Sequence, residues 1–294
     1  MNVTTFKTLV QREYWENKSF LWAPTITGAV LLFSVIFALI TAQQFIFSDT
    51  GITINDGDID PEHLKQIQAA PGHIGKAAFA MALGPISFVM FFVLYFYVLG
   101  SLYDERRDRS ILFWKSMPVS DLQTVLSKVC AAFLLIPVIS GVIAMITQVA
   151  LLLLGSIWAA INNIPVWDVV IAPTPLFTNL LNTLFLLIYF SVAMAPLLGW
   201  VWFVSATAKR NAFLASILIP GGIILVERLT LRSGEFANMI AGWGVDVGES
   251  LKGIVEDKAY GDALSQSSFW IGLLVCAVFI AASIYIRRFR DDSY

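Results

Sequence analysis

Asp104, Glu105, Arg106, Arg107, Asp108 and Arg109 stand in one unbroken run, three acids against three arginines, so their charges cancel within six residues. An arginine side chain presents a planar fork of N–H donors that matches carboxylate and phosphate groups, so such a run suits recognition of a folded partner. Ile111, Leu112, Phe113 and Trp114 follow at once. An aromatic side chain beside charged groups is a common anchor in protein interfaces, and Phe113 and Trp114 are the expected anchors here. Lys115 and then Met117-Pro118 close the element, because proline cannot continue a helix. Ser120-x-x-Gln123 reads as a capping box opening the next one. The competing reading is a solvated juxtamembrane loop whose arginines only fix topology.

Other constellations carry less chemistry. Asp56-x-Asp58-x-Asp60 has the acidic spacing of a calcium loop, but Pro61 stands where the turn needs glycine and Ile67 where a bidentate glutamate belongs. A solvated acidic loop is the expected state. His63 and His73 have no partner ligands at metal spacing. Gly72-His73-Ile74-Gly75-Lys76-Ala77 is too short for a phosphate loop and lacks its Ser or Thr, so no ATP-hydrolysing motif is expected and the chain is read as a non-enzyme. Cys130 and Cys276 both lie in apolar runs and read as small buried hydrophobes.

These groups need positioning, and the composition says by what. The 294 residues are 57% hydrophobic and only 14% charged, with a mean hydropathy of +0.75. About a quarter of the residues of a soluble domain are charged, so the chain falls in the membrane class. The expected architecture is an all-α polytopic membrane protein forming a single domain over residues 1–294. Six spans are expected, at about 22–42, 77–102, 129–154, 176–204, 211–226 and 269–286. Val3, Phe6, Val10 and Tyr14 recur at helical spacing ahead of the first span, which predicts an amphipathic interface helix. The second span carries Phe88, Phe91, Phe92, Tyr95 and Phe96. The first four are candidates for lining a translocation path, with lipid contact or helix packing as the commoner use of such a stripe. Gly84-Pro85 predicts a kink there, and Pro220-Gly221-Gly222 a break in the short fifth span. The connections are 43–76, 103–128, 155–175, 205–212 and 227–268, the last predicted to form one or two amphipathic helices through Phe236, Met239, Ile240, Trp243, Val247, Leu251 and Ile254.

The N-terminus, residues 103–128, residues 205–212 and the C-terminus together hold 13 basic residues, and the opposite side holds 6. By the positive-inside rule both termini and the charged run are expected in the cytoplasm, with 43–76, 155–175 and 227–268 outside. None of the six apolar cores contains Asp, Glu, Lys, Arg or His. Proton relays and ion-coupled transport use such groups, and intramembrane hydrolysis needs a base beside a nucleophile or paired carboxylates. Energy for any transport is therefore expected to arrive from outside the membrane.

With its six spans, its amphipathic leader, the stretch LYDERRDRSILFWKSMPVS over residues 102–120 and the polar segment before the last span, the chain resembles type-2 ABC exporter permeases. The resemblance implies a transmembrane subunit of an ATP-driven exporter in a bacterial-type inner membrane. It implies a cytoplasmic ABC ATPase partner that holds the ATP and Mg, so that this chain has no cofactor of its own. It implies a second permease subunit, identical or different, with membrane lipid as a further partner and nucleic acid as none. Residues 103–128 would be the coupling helix, the leader an interface helix, and the segment before the sixth span the short re-entrant helices. A non-transporting scaffold or sensor subunit that recruits a soluble partner through 103–128 is the alternative.

Overall fold

The computed structural model describes residues 3–41, 43–48, 51–56, 71–110 and 119–289. Its helices are α1 (Val3–Glu16), α2 (Ser19–Ile40), α3 (His73–Arg107), α4 (Asp121–Cys130), α5 (Ile136–Ile161), α6 (Leu176–Ala193), α7 (Ala195–Thr207), α8 (Ala212–Thr230), α9 (Glu235–Asp257), α10 (Tyr260–Ser265) and α11 (Ser267–Phe289). One π-helical turn, Ala131–Leu135, joins α4 to α5, and another, Trp167–Ile171, precedes α6. A short antiparallel ribbon, β1 (Gln43–Ser48) on β2 (Gly51–Asp56), pairs Gln43 with Asp56 and Ser48 with Gly51.

Six helical segments are long and apolar enough to cross a membrane: Ser19–Ile40, His73–Arg107, Asp121–Ile161, Trp167–Ala193, Ala212–Thr230 and Ser267–Phe289. The chain is a helical, multi-pass membrane protein. Two of the segments are much longer than a bilayer requires. At 1.5 Å per residue, the 35 residues of α3 and the 41 of Asp121–Ile161 run to roughly 50 and 60 Å, against about 30 Å of hydrocarbon. The excess matters at the charged run. Asp104 to Arg107 form the last turn of α3 rather than a loop, and residues 121–128 form the first turns of the next long helix.

The chain divides into two compact units. One comprises residues 19–90 and 138–187. In it, glycines set the approach of the helices. A Cβ on Gly28 would lie 2.6 Å from Thr147 Oγ1, one on Gly155 2.6 Å from Ile74 Cγ2, and one on Gly75 2.2 Å from Thr174 Oγ1. The apolar interior is Ala78, Ala82 and Leu151 backed by Leu32 and Val35, with a second cluster of Ala159, Ile164, Val169 and Val170 packed on Ile74 and Trp158.

The other unit comprises residues 1–18, 91–137 and 188–294. Its largest fully buried side chain is Trp202 in α7, which meets Phe133 of the π-turn at a ring separation of 5.8 Å. Helices α7 and α11 lie close because Gly199 has no side chain: a Cβ there would stand 2.8 Å from Cys276 Cα. Cys276 is buried and reduced, as a small core hydrophobe should be. The span drawn at 176–204 is in fact two helices, divided at Met194, whose ψ of 5° departs from the helix. Pro196 explains the division, since proline is accommodated in a first helical turn and excludes a carbonyl from the preceding one. The break expected at Pro220-Gly221-Gly222 does not occur, and α8 runs through it. In a transmembrane helix, neighbouring helices, side chains and small local adjustments re-satisfy the backbone groups a proline frees, so the helix tolerates it. Of the one or two amphipathic helices expected over 227–268, α9 forms and carries all seven of the apolar residues named for them, and the short α10 follows it.

Candidate functional site

Helix α1 buries Leu9 and Glu13, four residues apart and therefore on one face. Tyr14 and Trp15 are exposed, as is Trp22 just beyond, the placement of aromatic rings at a membrane–water boundary. A glutamate on the buried face of a helix needs partners, because an uncompensated carboxylate is too costly to desolvate. Glu13, only 1% exposed, has three. Its Oε1 accepts from Lys128 Nζ at 3.0 Å and Arg12 Nη2 at 2.6 Å, and its Oε2 accepts from the Tyr97 hydroxyl at 2.8 Å.

Lys128 continues the cluster. Its ammonium, in a side chain 4% exposed, also sits 3.1 Å from Glu105 Oε1. The other oxygen of Glu105 accepts from Arg287 Nη1 at 2.6 Å, and Arg287 Nε donates to Asp121 Oδ1 at 3.0 Å. Three acids and three bases thus neutralise one another: Glu13, Glu105 and Asp121 with Arg12, Lys128 and Arg287. At the rim, burial raises the carboxyl of Glu16 above its ordinary value while Arg12, 3.5 Å away, opposes the shift. The cluster joins α1, the end of α3, the start of α4 and the end of α11. Ser120 supplies the other local restraint. Its hydroxyl accepts from Gln123 N while the Gln123 side chain accepts from Ser120 N, the capping box anticipated from the sequence.

The six charges of the run therefore divide. Glu105 belongs to the buried cluster. Arg106 is turned inward, donating to the carbonyls of Ser205 at 2.6 Å and Ala208 at 3.0 Å at the C-terminal end of α7, where cations complement the helix dipole. Beside it, Ser205 Oγ accepts from Leu102 N and Tyr103 N and donates to the carbonyl of Leu99, and the Tyr103 hydroxyl donates to the carbonyl of Arg210. Asp104, Arg107, Asp108 and Arg109 remain at the surface, linked by Arg107 to Asp104 at 3.1 Å and to Asp108 at 3.0 Å. Arg109 ends the helix in the left-handed conformation, φ 58°. Phe113 and Trp114 lie outside the described residues.

The four aromatic candidates for a path also divide. Phe88 and Phe92 are exposed along α3. Phe91 packs edge-on to Phe190, and Tyr95 bonds through its hydroxyl to Ser216 Oγ at 2.6 Å and meets the Phe213 ring. Spaced i, i+3, i+4 and i+7, the four fall on one face of α3, along which Phe91 and Tyr95 pack on neighbouring helices while Phe88 and Phe92 stay exposed.

What the ion cluster can do is mechanical: it fixes four helix ends to one another through short, buried, charge-assisted contacts. Comparisons with family models, with curated proteins and with solved structures return no match.

Proposed function

We propose that this chain is the membrane-spanning permease subunit of an ATP-driven ABC exporter, with residues 103–128 as the element that docks a cytoplasmic ATPase subunit. The observation that carries the reading is the buried ion cluster at the base of that segment. A docking element that transmits force must be tied to the helices it moves. Glu105 and Lys128 tie both flanks of the segment to the leader through Glu13 and to the last span through Arg287. The spans themselves, devoid of ionisable groups in their apolar cores, offer no ion-coupled drive. Helix α8 fits a paired permease, because its apolar residues Ile217, Leu218 and Leu225 are exposed in the single chain and would meet lipid or a second subunit. The basic side, carrying both termini and the docking segment, is cytoplasmic in this reading.

The division of the run dictates the test. Arg106 holds α7 and would report on folding, whereas Arg107 and Arg109 lie at the exposed end of the run. Charge reversal at both (R107E/R109E) should leave membrane insertion intact and abolish co-purification of an ATP-hydrolysing subunit. Undiminished co-purification with this variant would remove the docking role.

A further inference from the structure

In the unit formed by residues 19–90 and 138–187, a cavity of about 20 Å³ opens between α3, α5 and α6. Space for one water or one hydroxyl begins at roughly 10–15 Å³. Gln148, Thr174 and Asn179 give it a polar wall, and Phe79, Leu152 and Leu180 an apolar one. Gln148 is 6% exposed and lies midway along α5.

The hydrogen bonds fix which way its carboxamide points. The Thr183 hydroxyl donates its single proton to the carbonyl of Asn179 at 2.9 Å. It must therefore accept from Gln148, whose Nε2 is 2.6 Å away. Oε1 is left as a buried acceptor with no hydrogen-bond partner. Thr174 Oγ1 likewise gives its proton to the carbonyl of Val170 at 2.5 Å, so it too presents lone pairs only. The Asn179 carboxamide, the one side-chain N–H donor on that wall not already committed, does not reach Gln148 Oε1, so the acceptor is left for a donor from outside, and the lining contains no carboxylate to select a cation. Buried polar atoms in proteins nearly always find a partner.

We propose that this cavity binds the uncharged hydroxyl of a membrane-borne amphiphile, which donates to Gln148 Oε1 while its chain lies along Phe79, Leu152 and Leu180. The site is distinct from the charged segment and stands whether or not an ATPase docks there. A lipid headgroup hydroxyl and a transported amphiphile share this chemistry.

The test uses the full chain in phosphatidylcholine nanodiscs and two photoactivatable probes, a diazirine-bearing dodecanol and its methyl ether. Peptide mapping of the crosslinks should place the alcohol on the segments holding Phe79, Leu152 and Leu180. The ether should label about three- to tenfold less, the range spanned by one neutral hydrogen bond. Gln148→Leu should erase the difference between the probes. Leu180→Phe, which fills the cavity without touching its polar wall, should lower labelling by both while the thermal midpoint holds. Repeating the assay with phosphatidylglycerol, whose headgroup carries free hydroxyls, separates the sources. Loss of labelling there makes the occupant a lipid headgroup, and retained labelling a transportable amphiphile; either supports the site. Equal labelling by alcohol and ether, or an alcohol signal unchanged in Gln148→Leu and Leu180→Phe, would mean the cavity holds water only and overturns the proposal.

Discussion

Replacing Lys128 by methionine keeps the volume and the helical propensity of the side chain and removes one charge. Lys128 Nζ lies 3.0 Å from Glu13 Oε1 and 3.1 Å from Glu105 Oε1. Without it, two carboxylates face each other in a site where Glu13 is 1% exposed. Arg12 and Arg287 still hold one oxygen each, so compensation is partial. Removing one member of a buried pair typically costs about 3–5 kcal/mol, mostly as the burden of the uncompensated charge. At roughly 2 °C per kcal/mol for a chain of this length, the thermal midpoint should fall by about 6–10 °C. Scanning fluorimetry in nanodiscs reads this through the chain's nine tryptophans, among them the buried Trp202. The double variant Glu13→Gln with Lys128→Met should recover most of the loss, because both charges leave together. As a reference, Asp104→Asn breaks an exposed pair and should change stability by less than about 1 kcal/mol. A midpoint for Lys128→Met within about 2 °C of the parent, or no recovery in the double variant, would refute the idea that the cluster clamps these helices.

Two further predictions concern local geometry. Ser120→Ala removes the capping box at the start of α4 and should destabilise by about 1 kcal/mol, measurable as faster hydrogen exchange over the first turn of that helix. Gly199→Ala places a methyl group 2.8 Å from Cys276 Cα and should cost about 1–3 kcal/mol in thermal unfolding. Gly221→Ala, which meets nothing within 4 Å, should instead stabilise α8 by about 0.5–1 kcal/mol; the same sign for both substitutions would contradict the packing described.

The spans were legible in the sequence because hydropathy over some twenty residues is a local signal, and the capping box because Ser120 and Gln123 sit three apart. The cluster was not. Glu13 and Lys128 are separated by 115 residues and Glu105 and Arg287 by 182, and nothing in the local charge pattern pairs them. Lys128 and Arg287 sit at span ends, where basic residues ordinarily set topology. The one available clue was Glu13, four residues after Leu9 on a face that α1 buries. Residues 104–109 look like one docking surface in the sequence because adjacency hides direction. The helical turn sends Glu105 and Arg106 inward and leaves Arg107, Asp108 and Arg109 outside. Pro220 is a breaker by the rules of soluble helices, and a transmembrane helix accommodates it.

In the proposed function, energy enters through residues 103–128. ATP hydrolysis by the purified assembly in nanodiscs, compared between the parent chain and R107E/R109E at matched membrane insertion, addresses it most directly. The variant is expected to lose both the bound ATPase and the part of hydrolysis that depends on this chain, while its thermal midpoint stays with the parent. Full hydrolysis, with the ATPase still bound to the variant, would contradict it.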